Sequence, residues 1–167
     1  MATKKTAKKK RSSSKRKVSN RPKDAIALLR ADHTAVNELF DQFERARDDR
    51  KKTALAQRIC LELKIHALIE EEIFYPAARE VLKDEDLLDE AEVEHASAKE
   101  LIAQIEAGSP GEEMWDAKVT VLGEYIKHHV KEEQNEMFPK VRKSRLDLKA
   151  LGEQLQARKD QLGTAEL

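Results

Sequence analysis

The chain repeats itself, and the repeat limits the fold more than any other feature does. Residues 32–44 (DHTAVNELFDQFE) lie over residues 94–106 (EHASAKELIAQIE) at an offset of 62, pairing His33 with His95, Leu39 with Leu101 and Gln42 with Gln104. Residues 64–76 (KIHALIEEEIFYP) lie over residues 127–139 (KHHVKEEQNEMFP) at an offset of 63, pairing His66 with His129, Glu70 with Glu133 and Pro76 with Pro139. Apolar residues recur at helical spacing over residues 24–48, 50–82, 86–107 and 112–142; in the first, Ile26, Leu29, Val36, Leu39, Phe40 and Phe43 make one stripe. Gly108, Ser109, Pro110 and Gly111 form a turn, and the other connections are short and polar, so consecutive helices are antiparallel neighbours. The expected fold is all-α: an antiparallel up-down four-helix bundle made of two repeated helical hairpins. Only 5 Gly, 4 Pro and 4% aromatic residues argue against a β-sandwich or barrel. A weaker helical pattern at residues 146–162 marks an extra C-terminal helix that packs on the bundle or projects from it. Pro76 and Pro139 each lie six residues past a repeated Glu, inside helical segments that they should kink or end.

Charge divides the chain further. Its 32 Lys and Arg balance its 32 Asp and Glu, but the first 23 residues hold eleven bases and no acid, leaving 21 bases against 32 acids in the remainder. Residues 1–22 have almost no apolar content, and they are expected to form a disordered basic tail. Residues 23–145 form the bundle and residues 146–167 the accessory helix and its tail. Lys4, Lys5, Lys8, Lys9, Lys10, Arg11, Lys15, Arg16 and Lys17 are candidates for contact with DNA or another polyanion, because clustered bases displace condensed counterions from phosphates. A solubilising role explains the same composition. The single cysteine, Cys60, excludes an intrachain disulfide and a Cys-rich zinc site and fits a reducing cytoplasm. No window approaches the roughly 18 apolar residues of a membrane span.

Four of the five histidines fall on equivalent positions of the repeat. His66 and Glu70, like His129 and Glu133, are four residues apart on a helix, about 40° around the axis and roughly 6 Å along it, so both can meet one centre. With His33 and His95, the bundle interior receives one His from each helix and two carboxylates. Each element alone is often a hydrogen-bonded core histidine or a solvated pair, but the repeated set fits a metal site. Nitrogen and carboxylate donors without thiolate suit iron, manganese or zinc. Six donors exceed a tetrahedral zinc site, whereas two carboxylates can bridge two metals and leave open positions.

Asp32-His33, HALIEEEIFYP at residues 66–76, Glu94-His95 and HHVKEEQNEMFP at residues 128–139 together resemble the hemerythrin-like HHE cation-binding domain over about residues 25–141. The resemblance implies a non-haem di-iron centre with two irons per chain. It places His33 and His66 on one iron and His95 and His129 on the other, with Glu70 and Glu133 bridging. Oxygen-carrying hemerythrins have a second His four residues after the third-helix His, where this chain has Lys99. Their last motif spaces His and Asp by five, which His128 and Glu133 would imitate. His129 is preferred, because the repeat sets it opposite His66 and His128 would point about 140° away from Glu133. A four-His, two-Glu centre resembles the HHE proteins that sense iron, or that handle oxygen, peroxide or nitric oxide under stress.

Around the ligands, Glu62 and Tyr125 align across the repeat one turn before His66 and His129, where either can bond a ligand or a bound oxygen species. Asp32, Glu71 and Glu94 are adjacent carboxylates able to orient an imidazole. Two other functions compete with a di-iron protein. One is a nucleic-acid-associated protein in which the tail acts and the bundle is a scaffold. The other is a ferritin-like centre, for which the chain offers a single Glu-x-x-His, Glu92 to His95, with no counterpart in the first half.

Overall fold

The computed structural model describes residues 24–83 and 85–164. The basic tail and its candidate polyanion contacts lie outside the described residues. Among the described residues every regular element is helical: α1 (Ala25–Arg45), α2 (Asp49–Ile69), α3 (Tyr75–Val81), α4 (Glu85–Glu106), α5 (Trp115–Glu132), α6 (Phe138–Lys143) and α7 (Leu148–Gly163). A π-helical turn, Glu70–Phe74, joins α2 to α3 without a break, and another, Glu133–Met137, joins α5 to α6. The described residues therefore form five helical rods. α1 packs on α2 and α4 on α5, while α1 also meets α5 and α2 meets α4, which closes the four-helix ring. The fourth rod starts at Trp115 instead of Glu112, because Gly111 (φ 91°) and Met114 (φ 64°) adopt left-handed conformations that a helix cannot contain.

Of the two outcomes expected at the prolines, a kink or an end, neither helix ends there. Pro76 has no N–H to give to the carbonyl four residues back, and its ring crowds that carbonyl. The helix responds by widening for one turn just before the proline: the N–H of Tyr75 bonds to the carbonyl of Glu70, and that of Phe138 to Glu133. Both rods then resume as α-helix, to Val81 and Lys143.

Two apolar clusters fill the bundle. Phe40, Phe43, Ile59, Ile105, Trp115 and Leu122 pack at the end where α1 meets α2 and α4 meets α5. Ile26, Leu29, Ile69, Phe74, Leu88 and Met137 pack at the other end. α7 packs on the bundle, burying Leu151, Leu155 and Leu162 against α1 and α2. Its docking depends on Gly152: a Cβ there would lie 2.7 Å from the backbone N of Ala25 and 2.8 Å from the backbone C of Asp24. Gly152→Ala is expected to cost about 1–3 kcal/mol as overpacking against rigid backbone. Thermal unfolding should register it as roughly 2–4 °C per kcal/mol for a chain this long.

Candidate metal centre

Between the two apolar clusters lies a single polar layer. His33, His66, Glu70, His95, His129 and Glu133 are all buried, with Glu70 at 0% exposure. Helical phase puts them there: His33 falls on the same stripe as Leu29 and Val36, and His95 on that of Ala91 and Ala98. All four imidazoles turn Nε2 inward. His33 Nε2 lies 3.0 Å from His66 Nε2, and His95 Nε2 lies 3.2 Å from His129 Nε2. Glu70 spans the two pairs, with Oε1 3.1 Å from His66 Nε2 and Oε2 3.4 Å from His95 Nε2. Glu133 Oε2 lies 3.2 Å from His33 Nε2 and 3.6 Å from His129 Nε2.

The Nδ1 atoms are held from outside the layer. Asp32 is 3.5 Å from His66 Nδ1, Glu71 is 2.9 Å from His95 Nδ1 and Glu94 is 2.7 Å from His129 Nδ1. The side-chain amide of Gln134 lies 3.1 Å from His33 Nδ1. An Nδ1–H donated to a carboxylate leaves the Nε2 lone pair free to bind a metal. Two of these carboxylates carry a basic partner: Lys159 of α7 bonds Asp32, and Lys99 bonds Glu71 at 2.6 and 2.7 Å. Lys99 thus acts on the site through Glu71.

Sequence reasoning missed two of these contacts. Gln134 is the repeat equivalent of Glu71, and each reaches the His of the opposite hairpin. Tyr75, equivalent to Phe138, is buried at the centre, with its hydroxyl 3.1 Å from Glu133 Oε1 and 3.2 Å from His95 Nε2. Phe138 instead stacks on the His33 ring, 5.9 Å between centroids. At this position the two halves therefore differ by one hydroxyl. Of the other candidates, Glu62 pairs with Arg58 at 2.5 Å and Tyr125 is half exposed, and all four Nδ1 atoms already face other groups. His128 points to the surface, where its side chain is 64% exposed.

The electrostatics show what the layer needs. Burial works against charge on His66, but the carboxylates of Glu70 and Asp32 outweigh it and raise its pKa to about 10. His95 rises to about 9 for the same reason, against burial and through Glu70 and Glu71. Burial would raise the Glu70 pKa, yet His66 and His95 hold it well below the usual carboxylate range. Burial and the nearby carboxylates raise Tyr75, so its hydroxyl keeps its proton and donates to Glu133. Without a metal, protons must supply the positive charge. Glu70 Oε1 and Glu133 Oε2 are buried and close to ring nitrogens, yet neither has a hydrogen bond of acceptable geometry. Orphaned oxygens beside converging nitrogen lone pairs are what a cation would satisfy. The donor atoms of His33, His66, Glu70 and Glu133 lie within 4.8 Å of one another, as do those of Glu70, His95 and His129, so Glu70 belongs to both groups. Cys60, in contrast, is a packed thiol whose pKa burial raises to about 12.

Fold and site define a helical bundle with a buried imidazole–carboxylate cation site. The chain belongs to the hemerythrin HHE cation-binding domain family, whose model matches residues 24–141. It is also similar to a protein from Nostoc sp. (strain PCC 7120 / SAG 25.82 / UTEX 2576) described as a DNA nickase, with 31% identity over 115 residues. That match covers 69% of this chain but 32% of the relative, so the chain spans about a third of that protein. The crystal structure of a hemerythrin HHE cation-binding domain-containing protein from Mycobacterium kansasii has the same fold. It superposes with a TM-score of 0.72 at 24% identity, covering 83% of this chain and 86% of that one. Among the described residues no helix is long and apolar enough to cross a membrane.

Proposed function

We propose that the protein holds a non-haem di-iron centre that binds or senses a small neutral molecule, oxygen, nitric oxide or peroxide, in a reducing cytoplasm. The observation that carries this reading is the position of Glu70, one oxygen toward the His33/His66 pair and the other toward the His95/His129 pair. His33 and His66 would hold one metal and His95 and His129 the other, with Glu70 and Glu133 between them. Iron so bound supplies redox chemistry and open coordination positions. The chain supplies the rest. Asp32, Glu71, Glu94 and Gln134 fix the ring orientations, and the Tyr75 hydroxyl keeps a proton 3.2 Å from His95 Nε2, on one side of the site only.

A cavity beside the layer suits a small ligand. It has a volume of about 30 Å³, and Val36, Leu63, Ala98, Ile102, Ile126 and Val130 supply an apolar wall. One water needs roughly 10–15 Å³ by this measure, so a diatomic molecule fits there. The test is iron content and absorption of protein loaded with iron without oxygen, before and after oxygen, peroxide and nitric oxide. About two irons per chain and near-ultraviolet oxo-bridge bands are expected. Metal content unchanged by His66→Ala with His129→Ala would refute the reading.

The basic N-terminal segment supports a second activity. Eleven bases without an acid in 23 residues suit attachment to DNA or another polyanion, and one relative carries a name from DNA chemistry. DNA affinity should fall roughly a thousandfold or more between 50 and 200 mM salt. Deleting residues 1–22 should abolish it while leaving metal content unchanged. Binding that survives the deletion would rule the tether out.

A further inference from the structure

We propose that Glu94, His128 and Glu132 form a second metal site, on the surface, which takes a divalent first-row cation from solvent and passes it to the buried centre. The inference rests on the reading that the buried layer holds metal. His128 is the one histidine of five that the layer does not use. Its Nε2 lies 3.2 Å from Glu132, one turn along the same rod, and 3.6 Å from Glu94, across on α4. The three donor atoms lie within 4.8 Å of one another. One imidazole and two carboxylates match the donor chemistry of the buried layer, so both sites select the same class of ion. Exposure, together with only three protein donors, makes the outer site weak and quick to release.

Three further observations join the outer site to the inner one. Glu94 belongs to both: one oxygen faces His128, and the other bonds His129 Nδ1 at 2.7 Å. A cavity of about 270 Å³ between α4 and α5 is lined by Glu94 and His128 as well as by the buried His95 and His129. Outside it, an open hollow of about 530 Å³ is lined by Asp86, Asp89, Glu90, Glu94 and Glu132, a negative funnel that concentrates cations. Arg79 occupies one edge of the funnel by pairing with Asp89 at 2.9 Å.

The repeat shows that this face is specialised. The offset of 63 that pairs His66 with His129 also pairs Ile65 with His128 and Ile69 with Glu132. In the first hairpin those two isoleucines are buried in the cluster that α7 covers. Among the described residues no helix lies over the equivalent positions of the second hairpin, and these carry side chains able to bind a metal. The bundle is thus closed on the α7 side and open, with ligands at the mouth, on the α4/α5 side.

Co(II) added to the metal-free full chain tests this, because its visible bands report coordination without turnover. The wild type should bind about three Co(II) per chain, two tightly and one weakly. His128→Ala with Glu132→Gln should lose the weak ion and keep the tight pair. The pair should then fill roughly tenfold more slowly at limiting Co(II), the low end of what a charged funnel adds to an on-rate. His66→Ala should lose one ion of the tight pair and keep the weak ion. A double variant that retains the weak ion, or that fills the pair at the wild-type rate, would overturn the proposal. A weak ion sensitive to His128 with no tight pair in the wild type would overturn the transfer role, and it would show that the dinuclear reading itself had failed.

Discussion

Glu70→Gln should abolish metal binding in both halves of the centre at once. A His variant removes a donor from one pair, but Glu70 sits in both donor groups, with an oxygen toward each. Losing a residue that only supports a ligand typically weakens a metal site by about 10–100-fold, so losing a shared ligand should exceed that for both ions. Stability makes the effect visible. Metal at about a thousand times its Kd adds about 4.1 kcal/mol to the folded state, and at a hundred times about 2.7 kcal/mol. In a chain of this length that is a rise of roughly 8–16 °C in Tm at the higher excess. The variant should show none of it. The metal-free variant should itself melt below metal-free wild type, because the substitution removes the buried carboxylate that compensates His66 and His95, so the metal-induced rise is read against each protein's own metal-free state. Calorimetry with and without metal separates the two states. A Glu70→Gln protein that still gains the full stabilisation would show that the bridge lies elsewhere in the layer.

Much of this site was legible in the sequence, because a repeat constrains residues in pairs. The equivalence of His66 with His129 favoured His129 over its neighbour His128, and the structure buries His129 and exposes His128. Asp32, Glu71 and Glu94 were legible as neighbours of the ligands. Tyr75 was not, because counting 100° per residue puts it about 140° from Glu70. The wider π turn brings residues five apart onto one face, which no regular period describes. Its cause was nonetheless in the sequence: Pro76 and Pro139 withhold the same hydrogen bond in both rods. Gln134 was findable by carrying Glu71 through the offset. The docking of α7 was left open, since three leucines and a glycine reveal their partner only once Ala25 is seen against Gly152.

Metal-free protein should lose stability as the solution becomes alkaline, and metal should remove that loss. His66, with a folded pKa of about 10, and His95, at about 9, both exceed the value of about 6.5 that an unfolded chain would show. The folded state therefore binds protons more tightly. This stability is fully present below pH 6.5 or so, declines above it and is lost as the pH rises through the folded values. On the acid side the sign reverses. Glu70 is held well below 4.5, so its contribution is present above that value and lost as the pH falls through its folded pKa. His66 and Glu70 report one shared interaction, so their contributions cannot be added, and on the order of a few kcal/mol is at stake. Stability without metal should thus peak between about pH 4.5 and 6.5. Binding a cation requires bare Nε2 atoms, so it expels these protons, and apparent metal affinity should rise with pH where stability without metal falls. Denaturant unfolding at pH 6, 8 and 10, with metal and with chelator, should give curves that diverge as pH rises. Parallel curves would mean that His66 and His95 do not carry the protons the metal replaces.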